Sequence, residues 1–447
     1  MARSPKTSSL SLGAAGLVLA PLVVVFAGHF MKGAFGAADS IALAAAMALL
    51  AAVAALWWRD AGALLASPLL GPAALAFAVV LAVALYQLAT PGFDREYVLM
   101  AVLRLWAMGG AFILAALIGF DERRFGLFRW GLATATLLFA VLALVLYLLS
   151  MSGALPIDRY FLDQTRLNYP LLSPNSTALA LLLGGAPTLA IGLAEIPSRP
   201  AEGETRRTAS PLLWIALAAA SVSLFDLLLT RSRTGILLAV AVGGGAFLIQ
   251  RIRTRKGALT IGLPAALVGA GLLVVATFSR LGKTNDDLSL RLRIFAAHLP
   301  TALDKPLVGH GFGGFVEMNR AATNLDNFSA VFNVGALHNV YLQWMEQAGW
   351  IATAAMAIVI LAVLFPMLGE MRRGRRASSY WLRAAVAATV IAFGQGLLDL
   401  GLEHYSNVLL LTLVLGVGFG LCVRRRLLRR RRSEADLAEV EAEPMVA

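Results

Sequence analysis

Stretches of about 20 consecutive apolar residues, repeated nearly end to end, constrain this chain more than any single motif does. A hydrocarbon core of roughly 30 Å is crossed by a helix of about that length, and Leu10 to Phe30, Leu69 to Ala89 and Trp130 to Met151 are three such runs. In lipid every backbone N–H and C=O must be satisfied internally, which leaves helices or a closed barrel. The runs are continuous rather than alternating, so an all-α, polytopic integral membrane protein is expected. Composition agrees: 59% of the 447 residues are hydrophobic and 14% are charged. That is too little polar surface to cover a water-soluble globule of this size.

Apolar runs bounded by charges or by Pro and Gly number about twelve. After the first they are Ser40 to Trp58, Leu69 to Ala89, Tyr97 to Phe120, Trp130 to Met151, Ser176 to Ala194, Pro211 to Leu229, Gly235 to Ile249, Gly257 to Phe278, His338 to Leu368, Trp381 to Leu398 and Asn407 to Val423. The first run follows Arg3 and Lys6 as in a signal peptide, but it is long for one and reads as an uncleaved helix. Roughly two-thirds of the Lys and Arg residues fall on the side that holds both termini, which makes that side cytoplasmic. The net charge of +12 is thus a topology signal rather than a nucleic-acid footprint. Residues 1–423 form the transmembrane domain, and 424–447 a basic then acidic tail expected to be disordered. The single cysteine, Cys422, permits neither an internal disulfide nor a Cys-based metal site.

On the other side two long loops emerge, 152–175 and 279–337. Loops of this length are functional or disordered, and the longer one, with aromatics, Gly turns and an amphipathic stretch from Leu288 to Leu299, is expected to be ordered. Basic residues there run against the positive-inside bias. Arg231 and Arg233 flank a tight turn in T-R-S-R-T-G, where two guanidiniums beside a helix start suit a phosphate; interfacial anchoring is the competing role. Arg291 and Arg293, spaced by two, cannot share a helical face, so at most one points inward. His338 stands where the long loop meets the tenth helix, and an imidazole at a water boundary suits a general base; a structural histidine is the plainer alternative. Tyr341 and Glu346 follow it. Asp399, Glu403, His404 and Tyr405 crowd a short turn that could form a second polar lip, and intramembrane Arg104 requires a partner or a wet cavity. Gly309, Gly311 and Gly314 satisfy G-x-G-x-x-G, but without a preceding strand they read as a re-entrant or turn segment, not a dinucleotide site. No His pair has metal-ligand spacing, so no metal or cofactor is expected.

Four stretches taken in order resemble the O-antigen ligases, within the wider group of O-antigen ligases and polymerases. They are R-L-N-Y-P-L-L-S-P-N with Arg166 and Asn175, S-R-T-G with Arg233, S-L-R-L-R-I-F with Arg291 followed by K-P-L-V-G-H-G-F-G, and H-N-V-Y-L-Q with His338. Phe295 stands where that family often has Trp. The resemblance implies a membrane-embedded, GT-C-like glycosyltransferase of the bacterial inner membrane, with its site on the periplasmic side. Its donor would be an undecaprenyl diphosphate-linked O-antigen, its acceptor the lipid A core oligosaccharide, and its mechanism metal-independent and inverting. His338 would be catalytic; Arg166, Arg231, Arg233 and Arg291 would hold the diphosphate; Asn175, Tyr341, Asp399 and Glu403 would line the cavity. An O-antigen polymerase or a protein glycan ligase would use the same donor. A secondary transporter is the reading from another class, disfavoured because polar residues gather in loops and no internal repeat is evident.

Overall fold

The computed structural model describes residues 10–154, 165–196, 208–251, 281–332, 334–371 and 377–442, and these contain helices and turns but no strand. In chain order the helices are α1 Leu12–Phe30, α2 Ala37–Trp57, α3 Ala61–Leu65, α4 Gly71–Ala89, α5 Arg95–Phe120, α6 Glu122–Met151, α7 Pro174–Glu195, α8 Pro211–Thr230 and α9 Arg233–Arg251. After residue 280 come α10 Leu281–Asp304, α11 Phe315–Ala322, α12 Phe328–Val331, α13 Val340–Glu370, α14 Ala377–Gln395 and α15 Tyr405–Ala442. Among the described residues nine helices are long and apolar enough to cross a membrane: α1, α2, α4 to α8, α13 and α15. The sequence reading expected about twelve. Of the other three, Gly257 to Phe278 lies outside the described residues, α9 has an apolar part only from Arg233 to Gly243, and α14 is diluted by Ser378, Ser379 and Arg383.

The apolar part of α15 is hydrophobic all round and forms the buried axis, with Leu409, Leu410, Leu413, Val414, Val417 and Phe419 fully enclosed. A helix of that character belongs inside a bundle. It lies flush against α5 because small residues meet: a Cβ on Gly420 would stand 1.9 Å from the Ala116 carbonyl oxygen, and one on Gly119 2.1 Å from that of Val417. In lipid such backbone proximity replaces the hydrophobic effect as the source of helix association. Beyond the bundle α15 continues as helix through the basic run to Ala442, where the sequence reading expected a disordered tail. The reason is local pairing: Arg424 meets Glu122 at 2.8 Å, Arg425 and Arg429 both reach Glu370, and Arg430 meets Glu434 at 2.8 Å one turn on.

The turns at 31–36, 90–94, 231–232 and 396–404, the segment 165–173 and the long loop share one end of the bundle, since successive helices alternate in direction. The long loop is ordered over its described residues. Its α10 contains the expected amphipathic stretch, and Ile294, Phe315, Ala330, Val331 and Leu337 form its own small core.

Helix α13 is broken at Gly349, whose φ of 71° and ψ of 177° leave the helical region. The carbonyls of Glu346 and Gln347 accept the N–H groups of His310 and Gly311 at 2.9 and 3.0 Å, and Trp350 and Ile351 donate to Pro306 and Leu307 at 2.7 and 3.3 Å. The Gly-rich segment 305–314 therefore threads the break, as a close backbone crossing that accounts for its glycines. Gln87 of α4 locks it from the side, donating to the carbonyls of Val308 and Gln347 and accepting from Phe312 N at 2.9 Å.

Candidate functional site

The segment before α13 is held from several directions. The Asn339 side chain caps the helix, accepting from the N–H groups of Tyr341 and Leu342, both at 3.0 Å, and its amide donates to Leu397 O at 3.1 Å. Val340 N donates to Gly396 O at 2.8 Å, and the Tyr341 hydroxyl to Phe393 O at 2.9 Å. Gln343 accepts the Leu337 N–H at 2.8 Å. Between these bonds His338 adopts a φ of +58°. It precedes the helix cap at Asn339, so it lies outside the helix that carries Tyr341. A left-handed non-glycine residue costs roughly 1–2 kcal/mol, sustained here by the bonds on either side.

That conformation directs the imidazole toward Asp399. His338 Nδ1 stands 4.0 Å from Asp399 Oδ1, and Arg291 Nη2 3.6 Å from Asp399 Oδ2. Asp399 is 1% exposed, and its Oδ1 accepts the Leu400 N–H at 2.9 Å. Burial pushes this carboxyl upward, opposed by Arg291, the Leu400 N–H, Arg166 and the Asn175 amide. Arg166 reaches the same place from the other side: its Nε donates to Thr230 O at 2.9 Å and its Nη2 to Asn175 Oδ1 at 3.3 Å. Asn175 opens α7, and its carbonyl accepts from Gln395 at 2.7 Å. Five residues remote in sequence, Arg166, Asn175, Arg291, His338 and Asp399, thus gather at one point.

Burial and then the Arg291 charge lower the His338 imidazole to about 4. It is therefore neutral at physiological pH and free to accept a proton, with the Asp399 carboxyl 4.0 Å from Nδ1, beyond hydrogen-bond length but close enough to offset charge on the ring. Asp399, read from the sequence as part of a second polar lip, thus lies between Arg291 and His338.

The remaining candidates separate. Arg231, with a φ of +50°, caps α8 and is exposed, whereas Arg233 is half-buried at the start of α9. Their turn adjoins Arg166 through the Thr230 carbonyl. Arg293 is exposed, and Arg291 points inward, as their spacing requires. Glu403 turns away from the arginines of the site toward Arg104 and Gln343; burial raises it to about 7 against both of those partners. Arg104 also donates to Ser40 Oγ from Nε at 2.9 Å, which supplies the partner its position required. His404 is lowered to about 4 by burial, and its Nε2 lies 3.3 Å from Leu171 O.

Sequence reasoning missed a buried triad that fixes α10. His298, fully enclosed, meets Glu346 Oε1 through Nδ1 at 2.8 Å and Asn319 Oδ1 through Nε2 at 3.0 Å. The Asn319 amide donates to Val331 O at 2.9 Å, so its oxygen must face the ring and Nε2 carries a proton. His298 lies two turns after Arg291 on one face, and this spacing was the available signal. Among the described residues no group of three or more His, Cys, Asp or Glu gathers as a metal site.

Comparison with known families matches residues 218–357, from within α8 to within α13, to the family model described as O-antigen ligase, which supports assignment of the chain to the O-antigen ligase family. No curated protein matches the chain.

Proposed function

We propose that the chain transfers an O-antigen glycan from undecaprenyl diphosphate to a sugar hydroxyl of the lipid A core, without a metal and with inversion at the anomeric carbon. The observation that carries this reading is the meeting of Arg166, Arg291 and a neutral His338 around buried Asp399. As the glycosidic bond to the diphosphate breaks, negative charge grows on the leaving oxygen, and fixed guanidiniums there stabilise the transition state more than the ground state. Arg291 and Arg166 are the donors that meet around Asp399, and the turn that leads into Arg233 adjoins Arg166 through the Thr230 carbonyl. The acceptor hydroxyl loses its proton to His338 Nε2 as its oxygen attacks the anomeric carbon. The Asp399 carboxyl, 4.0 Å from Nδ1, offsets part of the charge of the imidazolium that forms. The proton then leaves the imidazolium for solvent, and the diphosphate carrier departs with the charge that the arginines held.

The test is reconstitution of purified protein with lipid-linked glycan and lipid A core, in parallel with and without EDTA. Capped core in both arms is the expected result. Transfer lost on chelation and restored by Mg²⁺ or Mn²⁺ would refute the metal-independent step. Elongated glycan on the carrier with bare core would indicate a polymerase instead.

A further inference from the structure

Helix α10 carries three different faces, and one of them is left open. Ile294, His298 and Ala302, at 3, 0 and 1% exposure, turn inward together with Arg291. A second face presents Arg293, Ala297 and Pro300 to a groove whose far wall is Ala322, Asn324 and Asp326. Leu288, Leu292, Leu299 and Leu303 are 46, 55, 47 and 55% exposed. At about 100° per residue these four leucines fall within roughly 60° of arc, a single apolar stripe.

The stripe leads into the membrane surface. One residue beyond α10, Lys305 begins the segment that threads α13, and Pro306 and Leu307 accept the N–H groups of Trp350 and Ile351. Trp350 opens the uncharged, largely apolar run of α13, which continues to Leu368, so α10 ends beside the outer boundary of a membrane-spanning stretch. Leu307, Trp350 and Ile351 are exposed in turn, so apolar side chains stand open both along α10 and where the segment after it meets the spanning helix.

The geometry points to α10 lying in the bilayer interface, with Leu288, Leu292, Leu299 and Leu303 in the acyl boundary of the leaflet on the loop side and Arg291 turned off the lipid toward Asp399. An amphipathic helix with one apolar face and polar residues elsewhere lies in that plane with the apolar face buried roughly 5–10 Å. The leaflet then serves as one wall holding the helix that carries Arg291. This holds whichever reaction the site performs.

Single-cysteine variants of the full chain in a Cys422→Ala background, at Leu292→Cys, Leu299→Cys and Arg293→Cys, are spin-labelled and reconstituted in phosphatidylethanolamine and phosphatidylglycerol vesicles. Accessibility is read with oxygen, which partitions into lipid, and with a water-soluble nickel chelate. An oxygen-to-chelate ratio several-fold higher at Leu292 and Leu299 than at Arg293 is expected. Equal ratios at all three, or exclusion of both reagents at the leucines, would overturn the proposal by placing water or another protein on the stripe. Wild-type protein in the same vesicles, treated with a lipid-soluble photoactivated carbene and digested, gives a second reading free of substitution. Label on 288–303 supports the interfacial placement, and its confinement to the spanning helices refutes it.

Discussion

Replacing Gly349 by Ala probes the crossing that ties the long loop to the bundle. At φ 71° and ψ 177° the residue occupies a region that glycine alone adopts freely, and forcing a side chain there costs about 1–3 kcal/mol. The added Cβ would lie 2.4 Å from the carbonyl carbon and oxygen of Leu307 and 2.5 Å from Val308 N. These are backbone atoms, unable to rotate away, so 307–308 must retreat. Retreat stretches the bonds from Trp350 and Ile351 to Pro306 and Leu307, now 2.7 and 3.3 Å. Each buried backbone group left unsatisfied costs about 1–3 kcal/mol. With two lost and the strain added, the substitution destabilises by roughly 3–9 kcal/mol, a large part of a typical folding free energy of about 5–15 kcal/mol. Denaturation of purified protein in detergent micelles, followed by tryptophan fluorescence, measures it. Gly335→Ala, in the same loop with nothing within 4 Å of a new Cβ, should stay within about 0.5 kcal/mol of wild type. Gly309→Ala, whose Cβ would meet Gln347 at 2.5 Å, should match Gly349→Ala, and the double variant should cost little more than either because one crossing is broken once. Wild-type stability in Gly349→Ala would refute the threading.

His338→Ala should lower transfer by roughly 10²–10⁴ with donor binding retained, measured as turnover against carrier affinity. The wild-type rate should rise through pH 4 and stay flat above it, because the neutral imidazole is the base and its midpoint lies near 4; a midpoint between 6 and 7 in the free enzyme would place the titrating group elsewhere. Arg291→Lys and Arg233→Lys should each lose most activity while folding normally, since an ammonium keeps the charge but not the planar pair of donors; full turnover in both would reduce them to surface anchors. Glu346→Ala should destabilise by about 1–3 kcal/mol, because it leaves the enclosed His298 ring without its partner, whereas Glu346→Gln, of the same shape and able to hydrogen-bond Nδ1 through its amide, should recover most of the loss in the same denaturation assay.

The spanning helices were legible because hydropathy is additive along the chain: each run of α1, α5 or α6 states its own solvent. Basic residues between the runs were legible in the same way, and one of them, Arg291, meets Asp399, while the turn of Arg233 adjoins Arg166 through the Thr230 carbonyl. The roles within it were not. Nothing in the order of D-L-G-L-E-H distinguishes Asp399, which meets Arg291 and approaches His338, from Glu403, which faces Arg104. That difference is set by a turn of a few residues and by which helix lies behind it. The break at Gly349 was hidden too, since an apolar run reads the same through a threaded crossing as through an intact helix. Its only trace was the cluster of glycines at 309–314, which had already argued for a turn against a nucleotide loop.

The reach of the matched family region clarifies how the site is assembled. Residues 218–357 include Arg233, Arg291 and His338 but exclude Arg166, Asn175 and Asp399. The excluded residues complete the cluster: Asp399 lies 3.6 Å from Arg291 and 4.0 Å from the imidazole, and Arg166 and Asn175 oppose the desolvation of Asp399. A buried carboxylate with those partners removed would take up a proton rather than stay charged, and would then no longer hold Arg291 or steady an imidazolium. In the proposed mechanism the proton-accepting step would therefore depend on α7 and the turn after α14 as much as on the loop that carries the histidine.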